Sequence, residues 1–403
     1  MTAGGHQTRA QETTPPAGTA KAEEPAKPTP GSPIEAAGIA DPLKSWGLEI
    51  HGLLAANYTF NFNKPASGKN GLPLMNRKHD HFDLDLGNLR IQRVVDDGVG
   101  FVIDLDFGKT AEVVGRSTRW CEDPRCSESR NSFELMQFYL TYKFPVGSGL
   151  GVMAGKFTTL HGIEVPKTWD NINYNISNSI VYGFVTPTTH TGLLFNYPLT
   201  NWLRAEAGFT NGWDNVYDNN DGKSFLGDLT ITASSAVSFF LAGSVGPERD
   251  NRGDSKRALV SLITTIKPTD KWTLILDNEH GEETNVLPPL KPSGRGTKDA
   301  RWEGVSGYAI YRFTDALSGT LRAEFVDDVG GVITGVKQTL WGITSTLTYQ
   351  IYPGLTLRAE FRHDESNKRF FEGRVLARPV VGGPTTRFFP GQDVCAWEAL
   401  YSF

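Results

Sequence analysis

The chain has 403 residues and a formal net charge of −5 at pH 7, and 39% of its residues are hydrophobic. Its mean hydropathy is −0.32, and no stretch approaches the roughly 18 consecutive apolar residues that a membrane-spanning helix requires. With 43 glycines and 11% aromatic residues, it differs from helical bundles and coiled coils, which are rich in Ala, Glu, Lys and Leu. The acidic balance excludes a broad basic surface, so no nucleic acid is expected as a partner.

Residues 1–45 are predicted to form a disordered tail or periplasmic linker. Pro, Ala, Thr, Glu and Lys dominate this segment, and no cluster of aromatic or large apolar residues could offset the entropy of ordering it. Met1 to Ala20 has neither the basic start nor the apolar core of a secretory signal, so a signal peptide is not present in this chain. Residues 46–403 are predicted to be one β domain.

The rest of the chain alternates between apolar and polar residues with a period of two. Within residues 48–62, Leu54 and Tyr58 share one face, whereas Asn57 lies on the other. Side chains on a β-strand alternate in this way. The segment exceeds the roughly 5–6 residues of a soluble strand and fits a tilted transmembrane strand of roughly 9–11 residues with an extension. The same pattern recurs at residues 99–107, 136–143 and 320–325.

Short turns alternate with long polar connections along the chain. Turns such as 95–98 and 145–148 are rich in Pro, Gly and Asp, which is typical of links between antiparallel neighbours. The long stretches are residues 63–79, 109–131, 161–188, 213–222, 247–255, 283–300, 328–337 and 365–390. About 16 strands separated by such breaks predict an all-β, transmembrane, antiparallel up-and-down β-barrel in the outer membrane. A barrel of that size can hold an aqueous channel, whereas one of about 8 strands is filled by side chains.

Charged residues occur two apart on several predicted strands, which places them on one face. They must face the barrel interior, because an ion at mid-depth in lipid costs several kcal/mol. The residues predicted to line the pore are Asp104, Asp106, Arg204, Glu206, Arg322, Glu324, Arg358 and Glu360. Their charges would either pair with one another along a hydrated wall or produce an electric field across the pore that filters solutes.

The connection at 161–188 is the candidate constriction loop. In porins of about 16 strands a loop that folds inward narrows the pore. By analogy, Glu164, Lys167 and Asp170 are the candidates to line the constriction. A loop that packs outward on its neighbours is the alternative.

One cluster of residues has the composition of a metal site. His79, His81, Asp83 and Asp85 alternate along the start of the second predicted strand. If they share a face, two imidazoles and the carboxylates could hold one metal ion. A hydrated group of polar residues at the base of a loop is the competing interpretation.

Two of the three cysteines are placed to form a disulfide in an oxidising envelope. Cys121 and Cys126 lie in a polar loop with an intervening Pro, and we expect a disulfide between them rather than a two-ligand metal site. Cys395 remains, on the predicted lipid face, where it would act as a small hydrophobic residue. The sequence contains no Cys-x-x-Cys-His motif, and no cofactor is expected.

The chain ends in a strand whose aromatic residues share one face. Counting back by twos from Phe403 gives Tyr401, Ala399, Trp397 and Cys395. A terminal Phe with an aromatic residue two positions before it resembles the sorting signal of outer-membrane barrels. The resemblance makes Tyr401 and Phe403 the candidate membrane-insertion signal, through which the barrel-assembly machinery would act on this strand.

Four short motifs resemble a known family. Asn211-Gly212-Trp213-Asp214 follows a predicted strand, and upstream lie Gly162-Ile163-Glu164, Asn173-Tyr174 and His190-Thr191-Gly192. Together they resemble the outer-membrane β-barrel porin-2 family (OmpL-like putative porins) over roughly residues 48–403. Asn178 stands between two serines where a basic residue would be expected. The resemblance implies a porin fold and passive transport in a Gram-negative envelope, and it does not fix a substrate.

We therefore expect an outer-membrane porin and not an enzyme. Small hydrophilic solutes or ions would diffuse through it, outer-membrane lipid and lipopolysaccharide would surround it, and it could form a homo-oligomer. The alternatives are a barrel that anchors or scaffolds envelope partners, a hydrolase acting at the barrel rim through His79, His81 and Asp83, and a soluble all-β protein. No Gly-x-Ser-x-Gly elbow, His-Glu-x-x-His motif or phosphate loop supports an enzyme.

Overall fold

The computed structural model describes residues 43, 45–72, 75–95, 98–117, 132–287, 298–375 and 386–403. The predicted tail therefore falls outside the described residues, apart from Leu43 and Ser45. Cys121 and Cys126 also lie outside them, so the expected disulfide stays a prediction.

The described residues form eighteen strands and two helices. The strands are β1 (Glu49–Asn61), β2 (His81–Arg93), β3 (Val99–Phe107), β4 (Phe133–Phe144), β5 (Leu150–Thr158), β6 (Thr189–Pro198), β7 (Leu203–Thr210), β8 (Ser224–Thr232), β9 (Val237–Arg249), β10 (Arg252–Thr269), β11 (Trp272–Leu287), β12 (Lys298–Arg312), β13 (Leu317–Asp328), β14 (Gln338–Tyr352), β15 (Leu355–Ser366), β16 (Phe371–Val375), β17 (Thr386–Phe389) and β18 (Gly391–Ser402). The helices are α1 (Lys109–Ser117) and α2 (Ile180–Phe184). Neither is long and apolar enough to cross a membrane, and no other described segment is such a helix.

Sixteen of these strands, β1 to β15 and β18, close into one antiparallel barrel. Each strand pairs with its neighbours along the chain, and β18 closes the sheet by pairing with both β15 and β1. β16 and β17 form a separate two-stranded sheet within the last long connection. The predicted fold class and strand number are therefore confirmed.

The barrel wall shows the predicted alternation of side chains. On β1, Leu54 is 55% exposed on the outer face, whereas the adjacent Leu53 is fully buried on the inner face. The exposed outward residues elsewhere are also large and apolar, including Phe138, Ile343 and Trp397. In a bilayer the lipid covers such an outer face, while the inner face stays polar.

Short turns and long connections alternate, and two of the predicted long connections are shorter than expected. The stretch 247–255 is not a loop, because β9 and β10 continue through it and only residues 250–251 lie between them. The predicted loop at 283–300 is likewise shortened by β11 and β12. Both stretches were predicted to be loops because the parts of a strand that extend beyond the membrane lie in water and are as polar as loops. The short turns define the periplasmic end of the barrel.

A β-bulge interrupts the alternation on β2. The pairing with β1 shifts from Ala55–Leu86 to Ala56–Leu84, which makes Asp85 the extra residue. As a result Leu84 is 81% exposed on the outer face, while Leu86 is 3% exposed inside the barrel. Bulges re-aim side chains in this way, and this one directs Asp85 into the interior, where it is fully buried.

Candidate functional site

The connection between β5 and β6, residues 159–188, lies inside the barrel, and we call it the inner loop. Most of its residues are buried, among them Leu160, Ile163 and Ile176. Its side chains and backbone bond to strands that include β2, β10, β13 and β15. Because β2 and β10 lie on opposite sides of the closed sheet, the inner loop crosses the lumen. Of the two alternatives for this connection, the structure shows the loop that folds into the barrel and not the one that packs outward.

Helix α2 forms the last part of the inner loop. Ser179 caps it, since its Oγ accepts a hydrogen bond from the Tyr182 backbone N–H at 2.9 Å. Serine suits this position because its hydroxyl satisfies a backbone donor that has no partner within the helix. Ile180 and Val181 are buried and belong to an apolar cluster with wall residues such as Trp302. The apolar sequence of α2 is explained by this packing inside the barrel.

Glu164 links the first half of the inner loop to the wall and to α2. Its Oε1 accepts hydrogen bonds from Arg322 Nη1 at 3.1 Å and from the Tyr308 hydroxyl at 2.9 Å. Its Oε2 accepts from the Ser179 backbone N–H at 2.8 Å. A carboxylate buried this deeply needs such a set of donors to offset the loss of water.

Two carboxylates predicted to line the pore instead bind the backbone of the inner loop. Glu360 accepts from the backbone N–H groups of Ile176 and Ser177 at 2.7 and 3.0 Å. Glu324 accepts from the backbone N–H of Ile180. These charge-assisted hydrogen bonds satisfy donors that would otherwise be buried without partners.

Arginines on the same wall bind the carbonyl groups of the inner loop. Arg322 Nη1 donates to the Ser177 carbonyl oxygen at 2.7 Å, and Arg362 Nη1 donates to the Asn178 carbonyl oxygen at 2.6 Å. Both arginines therefore converge on the segment around Asn178, where the family pattern leads one to expect a basic residue. Here the positive charge comes from the wall rather than from the loop.

Lys167 ties the middle of the inner loop to β2 and β18. Its Nζ donates to Asp85 Oδ2 at 2.9 Å and to Glu398 Oε1 at 2.6 Å. Burial alone would lower the pKa of Lys167, but the two carboxylates outweigh this effect and raise the pKa. The ammonium group is therefore charged at neutral pH. Arg358 completes the group by bonding to Glu398 and to the Asn173 carbonyl oxygen.

Asp170 occupies the part of the inner loop that faces β1 and β2. Its Oδ2 accepts a hydrogen bond from Arg90 Nη1 at 3.1 Å. The preceding Trp169 stacks on His51 with ring centroids 3.7 Å apart and planes 13° from parallel. Together with Glu164 and Lys167, Asp170 holds the loop in place through a partner on the wall.

His161 anchors the start of the inner loop to β9 and β10. Its Nδ1 lies 2.5 Å from Ser261 Oγ, and its Nε2 lies 2.9 Å from Ser244 Oγ. Because Ser261 donates its only hydroxyl proton to Glu279, it must accept from Nδ1–H, and Nε2 then accepts from Ser244. Burial, with a smaller contribution from His190, lowers the pKa of His161 well below its usual value. The imidazole is therefore neutral at physiological pH.

The eight residues predicted to line an open pore all lie on barrel strands, yet most are covered. Asp104 and Asp106 are fully buried by donors that include Asn88. Arg322, Glu324, Arg358 and Glu360 are buried beneath the inner loop. Only Arg204 and Glu206, with side chains 25% and 10% exposed, retain contact with solvent. Six of the eight are thus shielded from solvent: the inner loop covers four of them, whereas Asp104 and Asp106 are bound by residues of neighbouring strands such as Arg90 and Asn88.

The predicted metal site does not form. His79 accepts a hydrogen bond from the Asn61 backbone N–H, and Asp85 is bound to Lys167 on the far side of the bulge. His81 Nε2 lies 3.2 Å from Lys78 Nζ, and among the four predicted ligands it approaches Asp83, at 3.6 Å. Within the described ranges, no three or more His, Cys, Asp or Glu side chains are grouped to hold a metal. The bulge at Asp85 breaks the shared face that simple alternation predicts.

Two of the four motifs that carry the family resemblance, residues 190–192 and 211–214, meet at the end of the inner loop. Asp214 Oδ1 accepts from the backbone N–H groups of Thr188 and Thr189 at 2.9 and 2.8 Å. His190 Nδ1 lies 3.1 Å from the Gly212 carbonyl oxygen. Gly212 has a φ of 106°, which only glycine adopts without strain. The Asn-Gly-Trp-Asp corner therefore fixes the point where the inner loop returns to β6.

Sequence reasoning missed several residues that hold the inner loop. Arg362 and Asp364 are two apart on β15 and could have been found by the rule that found the other pairs. Glu398 and Asp85 are single carboxylates with no charged residue of opposite sign two positions away. Asp85 was predicted only as a metal ligand, and no local pattern pairs either carboxylate with Lys167, because Lys167 is distant in sequence.

A closed barrel of 16 antiparallel strands, with short turns at one end and a long loop inside, defines an outer-membrane protein of the porin class. The family described as putative beta-barrel porin-2, OmpL-like, matches residues 47–380, and the chain belongs to this family. The protein is thus a channel protein of the bacterial outer membrane. No curated protein matches the chain.

Solved structures share this fold at low sequence identity. The outer-membrane channel DcaP of Acinetobacter baumannii is 14% identical with a TM-score of 0.56, over 88% of this chain and 97% of that one. Outer-membrane-expressed OmpT of Vibrio cholerae is 11% identical with a TM-score of 0.56, over 88% and 97%. An anion-selective porin from Comamonas acidovorans is 10% identical with a TM-score of 0.56, over 88% and 99%. At these identities the likeness concerns the fold.

Proposed function

We propose that the protein is a porin through which small hydrophilic solutes and ions diffuse passively. The observation that carries this proposal is the inner loop, which crosses a barrel wide enough for water and is tied to the wall by buried ion pairs. A loop held in this way narrows the lumen without closing the barrel around a packed core. No catalytic role is proposed for any residue.

In this proposal, Glu164, Lys167 and Asp170 set the position of the constriction. Each of them bonds to a wall residue of opposite charge, namely Arg322, Asp85 or Arg90. Buried ion pairs of good geometry hold a segment in one arrangement, since breaking one leaves an uncompensated charge. The size of the passage therefore depends on wall residues that a solute does not need to touch.

Reconstitution in a planar lipid bilayer tests the proposal. The purified full chain should insert and produce stepwise increases in conductance in a simple salt solution. A heat-treated sample, which no longer contains folded barrels, should give none and serves as the control. Folded protein that inserts into the bilayer but stays silent would contradict passive diffusion while leaving the fold intact.

The surroundings of the barrel follow from its outer face. We propose that the exposed apolar residues contact outer-membrane lipid and lipopolysaccharide. We also propose that the barrel-assembly machinery binds Tyr401 and Phe403 at the end of the last strand.

We further propose that the protein forms a homo-oligomer, since OmpT of Vibrio cholerae, which shares the fold, has been solved in a trimer form. Chemical cross-linking in intact outer membranes should give a ladder of multimers, and a single monomer band would contradict this.

A further inference from the structure

A cleft of about 320 Å³ lies at the periplasmic end of the barrel, below the inner loop. We call it the basal cleft. Gly162 and Ile163 of the inner loop line its roof, and the turns and strand ends of β6 to β10 line its sides. The ion pairs that hold the inner loop do not use this space, and of the charged wall residues described above only Arg204 lines it. The cleft therefore is a separate feature whose chemistry is set by its own lining.

The polar side chains that line the basal cleft are mainly hydroxyl groups and two cations, and they lie beside apolar side chains such as Phe240 and Ile263. The hydroxyl side chains are those of Thr200, Thr230, Thr232, Ser234, Ser235, Ser238 and Thr265. The cations are Arg204 and Lys267, and none of the described residues in the lining is Asp or Glu. Hydroxyl groups donate hydrogen bonds to an anion, and a lining without carboxylates does not repel one.

Three of the hydroxyl residues form a row across adjacent strands beside Lys267. Thr265 pairs with Ser238, and Ser238 pairs with Thr232. Adjacent strands are about 4.8 Å apart, so the row spans about the width of a small oxyanion with its shell of donors. Lys267 lies two residues beyond Thr265 on β10, which places it on the same face.

The ammonium group of Lys267 lines the basal cleft without a described partner of opposite charge. Its backbone N–H bonds to the Ala236 carbonyl oxygen, but its side chain makes no ion pair or hydrogen bond with any residue that the structure describes. At the inner end, Arg204 pairs with Glu206, while its Nη2 has no hydrogen-bond partner among the described residues. Glu206 and the neighbouring Asp228, which both interact with Arg204, lie outside the lining, so Lys267 is the charge that the described lining presents without a partner.

We infer that the basal cleft binds small oxyanions, such as phosphate or a carboxylate, with Lys267 as the counter-ion and the Thr265–Ser238–Thr232 row as hydrogen-bond donors. The inference rests on the proposed function, because the anion reaches the cleft through the channel. It adds small oxyanions as a class of solute that the channel would carry. Because the cleft lies at the mouth of the barrel beneath the inner loop, the anion is a dissolved solute. A lipid phosphate would bind on the outer face instead.

Inorganic phosphate is the probe. Equilibrium dialysis of the folded full-length protein in lipid-free detergent should show saturable phosphate binding. Lys267→Gln should weaken the binding at least about tenfold, which corresponds to about 1.4 kcal/mol, and Lys267→Arg should largely preserve it. Lys271→Gln is the matched control, because Lys271 is an exposed residue of the nearby β10–β11 turn and does not line the cleft.

The same variants are then compared in planar bilayers. Phosphate added on the side of the short turns should reduce the chloride current through the wild type and the Lys271→Gln variant, and much less through Lys267→Gln. Equal phosphate binding by Lys267→Gln and Lys271→Gln would overturn the inference, and so would a conducting wild type that binds no phosphate. Phosphate binding that depends on Lys267 in a protein without conductance would support the cleft and contradict the proposed function.

Discussion

Gly52 and Phe403 exchange both of their backbone hydrogen bonds. The Gly52 N–H donates to the Phe403 carbonyl oxygen at 2.8 Å, and the Phe403 N–H donates to the Gly52 carbonyl oxygen at 3.0 Å. The phenyl ring of Phe403 also lies over Gly52, so that a Cβ atom there would be only 2.3 Å from the ring. The last residue of the chain is thus fitted to a glycine on the first strand of the barrel.

This fit predicts that Gly52→Ala impairs closure of the barrel. The added methyl group must displace the Phe403 ring, and such overpacking typically costs about 1–3 kcal/mol. The folded fraction after refolding, read as heat-modifiable migration on a denaturing gel, should fall. Gly87→Ala is the matched control on β2, since its Cβ would meet its nearest neighbour at an ordinary 3.7 Å. Equal folding of both variants would contradict the prediction.

Arg322→Met should loosen the inner loop. The substitution removes the buried partner of Glu164 and Glu324, and an uncompensated buried charge costs about 3–5 kcal/mol. We expect a larger and noisier single-channel conductance in planar bilayers. Arg312→Met is the control, because Arg312 is exposed and its guanidinium donates to the Asp270 backbone carbonyl oxygen rather than to a carboxylate. An Arg322→Met channel with the conductance of the wild type would show that this pair does not hold the constriction.

Acid should weaken the attachment of the inner loop through His161. The pKa of this histidine is lowered by burial, so its contribution to stability is complete above about pH 6.5, the pKa of a free histidine. The contribution is lost as the pH falls below that value, because the released imidazole gains a proton that the buried one does not bind. Asp277, Glu279 and His190 are the titratable groups closest to it.

The measurement is the frequency of current fluctuations between about pH 7.5 and about pH 5. Fluctuations should increase on acidification in the wild type, and His161→Gln should show a smaller increase. His280→Gln is the control, since this histidine is 52% exposed and lies on the outer face of β11. If the two variants respond to acid in the same way, His161 is not the group that titrates.

Leu347→Lys should hinder insertion into the membrane. Leu347 is 49% exposed in the outward row of β14, and a lysine near mid-depth on the lipid face costs about 2–4 kcal/mol. The yield of folded barrel in lipid vesicles should fall accordingly. Gln350→Lys, at the periplasmic end of the same strand, should be tolerated because Gln350 is an odd number of positions from Leu347 and therefore faces away from the lipid. Equal yields would place Leu347 away from the lipid.

The positions of the strands and the faces of the barrel could be predicted because alternation is a local property of the chain. Leu53 and Leu54 are adjacent, and the period of two alone assigns one to the interior and the other to lipid. Deviations came from local irregularities, such as the bulge at Asp85, where one extra residue shifts the alternation. Strand extensions at 247–255 were missed because they lie in water and are as polar as loops.

The sequence by itself determined a closed barrel in the outer membrane, an inward row of charges and a long loop in the right place. Only the tertiary structure decided what those charges do. Glu164 and Arg322 are 158 positions apart, and Lys167 and Glu398 are 231 apart, so no local pattern pairs them. Closure of the sheet brings these side chains together. Because an unpaired buried charge is strongly destabilising, the buried wall charges pair with groups of the inner loop.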